Sequence, residues 1–311
     1  MNDTRRAILQ ALDDGPVSGP ALAEELDMSR AAVWKHVEAL REAGFEIESG
    51  PDGYSLAAIP EFGGPAIEHG LDAPFDVEFH DELASTNARA RELAAGGAAD
   101  LAVVADRQTG GRGRLDRGWA SPSGGAWLSL VLQPDVPPAE VPLLTLAAAV
   151  AATRAVREAG VDAGIKWPND VLVRTPDGER KLAGILTEME GEADQVSWVV
   201  VGIGLNANVD PGELPEGATS LREQVGDVER RVLVQRLVEE FDDLRREPDE
   251  ILNAWTELAL TPGRRVRVET SQGPVVGEAL RVERPGTLVI DIGEEERRVH
   301  AGDCEHLRPV E

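Results

Sequence analysis

The chain has 311 residues, of which 42% are hydrophobic, and is long and apolar enough for two or three packed domains. Its single cysteine, Cys304, excludes an intrachain disulfide and is interpreted as an ordinary strand or loop residue. No apolar run approaches the roughly 20 residues that span a bilayer, and the N-terminal residues do not resemble a signal peptide. We therefore expect a cytoplasmic protein without membrane contact.

The formal net charge is −26, from 57 acidic and 31 basic residues. Lysine occurs only at positions 35, 166 and 181. Excess acid keeps a protein soluble at high ionic strength, where repulsion is screened within about 3 Å at 1 M salt. The composition therefore predicts a halophilic protein.

The first residues are typical of a winged helix-turn-helix. An amphipathic helix is predicted from Thr4 to Leu12, Ser18 and Ser29 cap two further helices, and a hairpin spans Phe45 to Leu56. In this layout the start of the third helix enters the DNA major groove. The candidate DNA-contacting residues are Ser29, Arg30, Trp34, Lys35 and His36.

The charge of this first domain, taken as residues 1–62, does not favour DNA. Acidic side chains outnumber basic ones in residues 1–58, whereas DNA-binding domains usually carry a basic surface. Phosphate binding through counterion release also weakens with salt. The domain either binds DNA or is a vestigial or protein-contacting unit. A linker rich in Pro and Gly is predicted from Ala57 to Pro65.

A second domain is predicted over residues 66–260. Its first helix opens at Ser85-Thr86-Asn87, whose side chains either cap the helix or form a polar cluster for a small ligand. An eleven-residue segment from Thr109 to Trp119 then holds three arginines and four glycines. It is either a solvated turn or an anion-binding loop; predicted strands on both sides, over 101–105 and 126–132, exclude a disordered RNA-binding tail.

The rest of this domain has a long helix, Ala139–Glu158, and three strands with little polar interruption, which predict a covered sheet. Lys181 begins one of these strands. Asn169, Asp170 and Asn206 lie at strand ends, as ligand-binding or as plain turn residues. After helices over 231–244 and 251–260, short alternating strands predict an SH3-like barrel over residues 261–311.

Five motifs in this order resemble the biotin protein ligase family, in the form with an N-terminal winged helix that acts as a repressor. They are Ser85-Thr-Asn87, Gly111-Arg-Gly-Arg114 with Trp119, Lys166-Trp-Pro-Asn-Asp170, Lys181-Leu-Ala-Gly-Ile-Leu186 and Gly202-Ile-Gly-Leu-Asn206. The resemblance covers essentially the whole chain. It departs from the family's loop at Leu115-Asp116, where further basic residues or glycine are frequent.

The resemblance implies an α+β fold with a central mixed sheet, and ATP-dependent ligation of biotin to a carrier-protein lysine through biotinyl-5′-adenylate. It implies ATP and Mg²⁺ as cofactors, a biotin carboxyl carrier protein as partner, and operator DNA and a homodimer as further partners; no metal site made by the protein is predicted. The implied catalytic residues are Lys181, Arg112 and Arg114. The implied biotin-binding residues are Ser85, Thr86, Asn87, Gln108, Gly111, Arg112, Gly113, Arg114, Trp119, Lys181 and Gly184. The implied nucleotide-binding residues are Arg114, Trp119, Lys166, Asn169, Asp170, Lys181 and Asn206.

Two other functions stay open at this point. One is lipoate or octanoate ligation or transfer on a related fold, against which Trp119 and the Arg-Gly loop favour biotin. The other is a winged-helix regulator that only senses an effector. Lys181 speaks against it, because burying an unused cation costs several kcal/mol.

Overall fold

The computed structural model describes residues 1–192, 194–301 and 304–310. The first unit consists of α1 (Asp3–Asp13), α2 (Gly19–Glu25), α3 (Arg30–Glu42) and an antiparallel hairpin of β1 (Glu46–Gly50) and β2 (Gly53–Ala58). Ser18 and Ser29 accept hydrogen bonds from the N–H groups of Ala21 and Ala32, both at 3.2 Å, and so begin α2 and α3. The apolar faces of the helices and hairpin enclose a core of their own. The winged helix-turn-helix prediction is confirmed.

The outer face of α3 carries the candidate DNA-contacting side chains. Val33, Val37 and Leu40 point into the core. Trp34, by contrast, is 56% exposed, which is unusual for so large an apolar side chain. The remaining candidates lie beside it, exposed at Ser29, Arg30 and Lys35 and half-buried at His36.

The second unit is built on a mixed sheet. Its strands are β3 (Asp76–Leu83), β4 (Leu101–Gln108), β5 (Ala126–Leu132), β6 (Ala163–Lys166), β7 (Asp170–Thr175), β8 (Gly178–Gly191) and β9 (Val196–Leu205). Over the described residues the strand order is β3-β4-β5-β9-β8-β7-β6, with β3 parallel to β4 and the other neighbours antiparallel. The predicted α+β class with a central mixed sheet is confirmed.

Helices cover this sheet. They are α4 (Gly64–Glu68), α5 (Thr86–Ala95), α6 (Pro142–Glu158), α7 (Leu221–Val225), α8 (Arg230–Arg246) and α9 (Ile251–Leu258). Since α4 begins at Gly64, the connection from the first unit is shorter than the predicted linker. The segment Pro138–Glu158 is long and apolar enough to cross a membrane, but 72% of its apolar window is buried in the protein. It is therefore a core helix.

The C-terminal unit is an antiparallel sheet consistent with the SH3-like prediction. Its strands are β10 (Arg265–Thr270), β11 (Val275–Glu283), β12 (Thr287–Asp291), β13 (Glu296–Val299) and β14 (Cys304–Pro309). In the described part of the chain their order is β13-β12-β11-β10-β14. Its apolar core is continuous with that of the central unit, and Trp167 joins the two by donating its indole N–H to the carbonyl of Gly286 at 3.0 Å. The two units therefore pack as one body.

Candidate active site

A cavity of about 270 Å³ opens where the start of α5, the loop after β4, and strands β7, β8 and β9 meet. Most of the predicted site residues line it. They are Ser85, Thr86, Asn87, Gln108, Arg112, Gly113, Arg114, Trp119, Lys166, Asn169, Asp170, Lys181 and Gly184. The motifs that are dispersed along the sequence thus converge on one cavity of a size suited to a small ligand.

Two predicted residues, Gly111 and Asn206, do not line the cavity. Asn206 is 2% exposed, and its side-chain N–H donates to the carbonyl of Thr219 at 2.9 Å. It ties two loops together because its side chain turns into the protein at the strand end. Gly111 acts through its backbone, since its carbonyl accepts the N–H of Trp119 at 2.9 Å.

One wall of the cavity is a polar cluster at the start of α5. Ser85 accepts the N–H of Ala88 at 3.4 Å, so it caps the helix as well as lining the cavity. The backbone N–H of Thr86 donates to Gln108 Oε1 at 2.8 Å, which joins the helix to the end of β4. Both interpretations of this motif therefore apply, the cap at Ser85 and the polar cluster at Thr86.

Trp119 lies flat on strands that carry no side chain beneath it. A Cβ atom added to Gly204 would lie 2.6 Å from Trp119 Nε1, and one added to Gly184 would lie 3.2 Å from the indole ring. The Lys181 ammonium lies 4.9 Å from the ring centroid. The indole N–H is buried and has no hydrogen-bond partner among the described residues. The ring is placed to cover an apolar part of a ligand.

Lys181 contributes an ammonium group to the wall of the cavity. Its Nζ lies 2.6 Å from Asp170 Oδ1, and both side chains are partly exposed. Its backbone N–H donates to the carbonyl of Gly217 at 2.8 Å, and its carbonyl accepts the N–H of Thr219 at 2.9 Å. The loop after β9 therefore fixes the backbone of Lys181, and Asp170 holds its ammonium group.

Lys166 adds a second cation nearby. Burial lowers the pKa of its ammonium group; the negative charge of Asp170 opposes that shift, and the positive charge of Lys181 adds to it. Two cations with one shared carboxylate make this side of the cavity a binding surface for an anion.

The arginine-rich loop makes two different kinds of contact. Arg112 is 67% exposed at its side chain and lies 3.7 Å from Asp116, a weak surface ion pair. Arg114 is anchored instead: it donates to Asn169 Oδ1 at 3.2 Å, to the carbonyl of Ala301 at 2.7 Å, and to the carbonyl of Cys304. Arg114 thus joins the loop to the C-terminal unit.

Several cavity residues were not predicted from the sequence. Arg117 lies in the arginine-rich loop and could have been chosen by the same criterion as its neighbours. Cys304 and Leu307 come from β14, and burial raises the pKa of the Cys304 thiol. No local signal marks these two residues, because their position depends on the pairing of β14 with β10.

Sequence comparison identifies two regions. A profile of the Biotin/lipoate A/B protein ligase family matches residues 83–206, and a profile described as an HTH domain matches residues 4–55. The first match contains most of the cavity residues, and the second coincides with the winged unit.

Individual proteins are similar over nearly the whole chain. The bifunctional ligase/repressor BirA of Bacillus subtilis is 38% identical over 309 residues, which cover 93% of each chain. The biotin–[acetyl-CoA-carboxylase] ligase of Mycobacterium tuberculosis is 36% identical over 244 residues, covering 73% of this chain and 87% of that protein. The structure of a biotin protein ligase from Aquifex aeolicus in complex with biotin and ATP has a TM-score of 0.63 at 28% identity, covering 75% of this chain and 99% of that one.

Proposed function

Because this chain belongs to the biotin protein ligase family, we propose that it joins biotin to a lysine of a biotin carboxyl carrier protein through biotinyl-5′-adenylate. ATP is the second substrate. The observation that carries this proposal is a single cavity that gathers Thr86 and Gln108, the indole of Trp119 and the ammonium of Lys181. These are the groups that a neutral cyclic urea, an apolar chain and a carboxylate require.

The first half-reaction brings two anions together. A carboxylate oxygen of biotin attacks the α-phosphorus of ATP, the bond to the bridging oxygen breaks, and pyrophosphate leaves. Lys181 offsets the repulsion because its ammonium is already fixed in the cavity and needs little reorganisation. Arg112 and Arg114 supply further positive charge from the loop.

Biotin itself offers two N–H donors and one carbonyl acceptor in its ureido ring. Thr86, Asn87 and Gln108 carry complementary side-chain groups at one wall. Trp119 covers the thiophane ring and valeryl chain, since it already lies flat over Gly204. Glycine at positions 113 and 184 leaves room beside the ligand.

The nucleotide lies on the side of Lys166, Asn169 and Asp170. Mg²⁺ is usually held by one or two carboxylates together with substrate phosphates. Asp170 provides a carboxylate that fits such an ion, whereas Asn169 Oδ1 already accepts a hydrogen bond from Arg114. The described residues contain no group of three His, Cys, Asp or Glu side chains able to form a metal site by themselves. The ion would neutralise charge on the phosphates.

In the second half-reaction the ε-amine of the carrier lysine attacks the carbonyl carbon of the adenylate. The amide bond forms, the amine loses a proton, and AMP leaves. The intermediate must survive until the carrier arrives, so water has to be excluded. The loop from Thr109 to Trp119 provides this cover, with Arg114 anchoring it.

Replacing Lys181 by Ala removes the fixed ammonium. We expect biotin-dependent ATP–pyrophosphate exchange to fall on the order of 10²–10³-fold or more. Lys35→Ala is the matched control, because it removes an exposed lysine from the winged unit. Exchange at the wild-type rate in the Lys181 variant would remove this residue from the mechanism.

The same exchange assay separates biotin from other acids. We expect exchange with biotin and none with lipoate or octanoate. Exchange with one of those acids alone would indicate the alternative ligase, and binding without any exchange would indicate an effector sensor.

Replacing Arg114 by Gly removes the hydrogen bonds that join the loop to Asn169 and to the carbonyl groups of the C-terminal unit. We expect adenylate formation to continue while the adenylate escapes, so that exposed lysines of unrelated proteins become biotinylated. Labelling of bovine serum albumin, followed by avidin blotting, measures this. Arg107→Gly is the control, because that side chain lies outside the cavity in an exposed pair with Glu82. Carrier-only labelling by the Arg114 variant would contradict the closing role.

The winged unit, residues 1–62, makes this ligase a biotin-responsive repressor. Its candidate contacts with operator DNA lie on the exposed face of α3, from Ser29 to His36. Each cation that contacts phosphate should reduce the slope of log K against log salt by about 1 when it is removed. We expect this for Arg30→Ala and Lys35→Ala, but not for Arg174→Ala on strand β7.

Gel shifts on duplexes selected from a random pool, with and without biotin and ATP, measure the effect. If no duplex is selected in either condition, the winged unit does not bind DNA, and a protein-contacting role replaces the repressor.

The remaining features of the proposal concern the environment and assembly. The ligase works in the cytoplasm, and its net charge of −26 suits a halophilic cell. We expect a higher melting temperature in molar KCl than in dilute buffer, and equal values would refute salt adaptation. The protein forms a homodimer through a free edge of its sheet. Among the described residues that edge is β3, because the other outer strand, β6, already accepts the N–H of Leu260 at the carbonyl of Ile165. The catalytic unit spans residues 66–260 and the barrel residues 261–311.

A further inference from the structure

A chain of hydrogen bonds leads from the cavity wall to a partly exposed carboxylate. Thr86 Oγ1 lies 2.8 Å from Ser129 Oγ, which lies 2.6 Å from Asn87 Oδ1. The side-chain N–H of Asn87 donates to Glu188 Oε2 at 2.8 Å. At the cavity end, Thr86 Oγ1 also lies 3.1 Å from Gln108 Oε1. Ser129 is fully buried and Thr86 is 4% exposed, so bulk water does not enter this chain freely.

This chain of hydrogen bonds has fewer hydrogen atoms than its contacts require. Three of its contacts join two oxygen atoms, and each of these needs one hydrogen between the partners. Amide oxygens carry no hydrogen, so among the described residues only the hydroxyl groups of Thr86 and Ser129 supply them. Two hydroxyl hydrogens are therefore available for three oxygen–oxygen contacts. One contact has no hydrogen, and at the cavity end one oxygen lone pair has no donor.

The shortage follows from the orientation of the Asn87 side-chain amide, and Glu188 fixes that orientation. An ionised carboxylate only accepts hydrogen bonds, so Asn87 must present its NH₂ group to Glu188 and its oxygen to Ser129. The carbonyl of Leu186 accepts from the same NH₂ group at 3.3 Å and supports this orientation.

The opposite orientation of Asn87 would remove the shortage. Asn87 would then donate to Ser129, Ser129 to Thr86, and Thr86 to Gln108, so that every contact would hold one hydrogen. Of the two acceptors that hold Asn87 in its present orientation, the Glu188 carboxylate at 2.8 Å is charged and nearer than the Leu186 carbonyl at 3.3 Å, so the charge at Glu188 dominates and decides whether the cavity end lacks a hydrogen. Arg91 pairs with this carboxylate at 3.0 Å.

We propose that Glu188 and Ser129 are positioning residues that keep the Thr86–Gln108 end of the cavity short of one hydrogen and so select an acid substrate that carries an N–H donor. This inference rests on the proposed function, because it specifies how the same site chooses its acid. A cyclic urea supplies the missing hydrogen. Gln108 Oε1 already accepts the backbone N–H of Thr86 at 2.8 Å, so what an N–H donor fills is the spare lone pair at this end. A dithiolane ring or a plain fatty chain has no N–H group and leaves that lone pair without a donor.

The test uses Glu188→Gln in the full chain, since a neutral amide lets Asn87 turn around. We expect the Kd and KM for biotin to rise about tenfold, as for the loss of one hydrogen bond, while kcat and the KM for ATP stay near wild type. Ser129→Ala should act in the same direction, because the Thr86 hydroxyl then donates to Gln108. Glu190→Gln is the matched control, an exposed carboxylate two residues further along β8.

Calorimetric titration with biotin and pyrophosphate exchange with biotin, lipoate and octanoate provide the readouts. In both variants, a smaller difference between the exchange rate with biotin and the rates with lipoate and octanoate supports the proposal. Unchanged biotin affinity in Glu188→Gln overturns it, as does an equal loss for ATP, which indicates general damage. If Ser129→Ala does not fold, Glu188→Gln decides alone, because it keeps the side-chain volume. Absence of biotin exchange in the wild-type protein is a separate result, and it refutes the proposed function itself.

Discussion

The cavity depends on the absence of side chains from part of β8 and β9. Buried strands are normally filled by Val, Ile and Leu, yet Gly202 and Gly204 occur in the C-terminal half of β9. A Cβ atom at Gly202 would lie 2.0 Å from Asn87 Oδ1, and one at Gly204 would lie 2.6 Å from Trp119 Nε1. The side-chain amide of Asn87 and the indole of Trp119 therefore pack directly against the backbone of the sheet. The polar and apolar walls of the site both rest on these two positions.

The positive charges that line the cavity attract an anion only at short range. A protein of net charge −26 repels anions at long range, and ATP and biotin are both anions. In concentrated salt this repulsion is screened within a few ångströms, so the contacts inside the cavity decide binding. Lys181 and Asp170 form a pair at 2.6 Å in which the carboxylate balances the ammonium until an anion enters. This arrangement reconciles an acidic surface with an anion-binding interior.

Much of the fold and of the site could be predicted because the signals are local. Ser29 caps a helix, and Lys181 lies near the start of a strand, through patterns that span only a few residues. The position of Asn206 at the end of a strand predicts a site residue, but a strand end does not determine where a side chain points, and this one donates to the carbonyl of Thr219. Cys304 could not be predicted as a residue that lines the cavity, because β14 is brought to the cavity by its pairing with β10.

The anchoring of Arg114 couples the arginine-rich loop to that distant pairing. Its guanidinium donates to the carbonyl of Ala301 at 2.7 Å and to that of Cys304, so the position of the loop depends on the C-terminal unit. Backbone carbonyl groups are weaker partners for a guanidinium than phosphate or carboxylate oxygens. In the proposed reaction, the polyphosphate of ATP would therefore compete with the C-terminal unit for Arg114. Because the central and C-terminal units share one core, the proposed reaction requires Arg114 to divide its donors between the polyphosphate and these carbonyl groups.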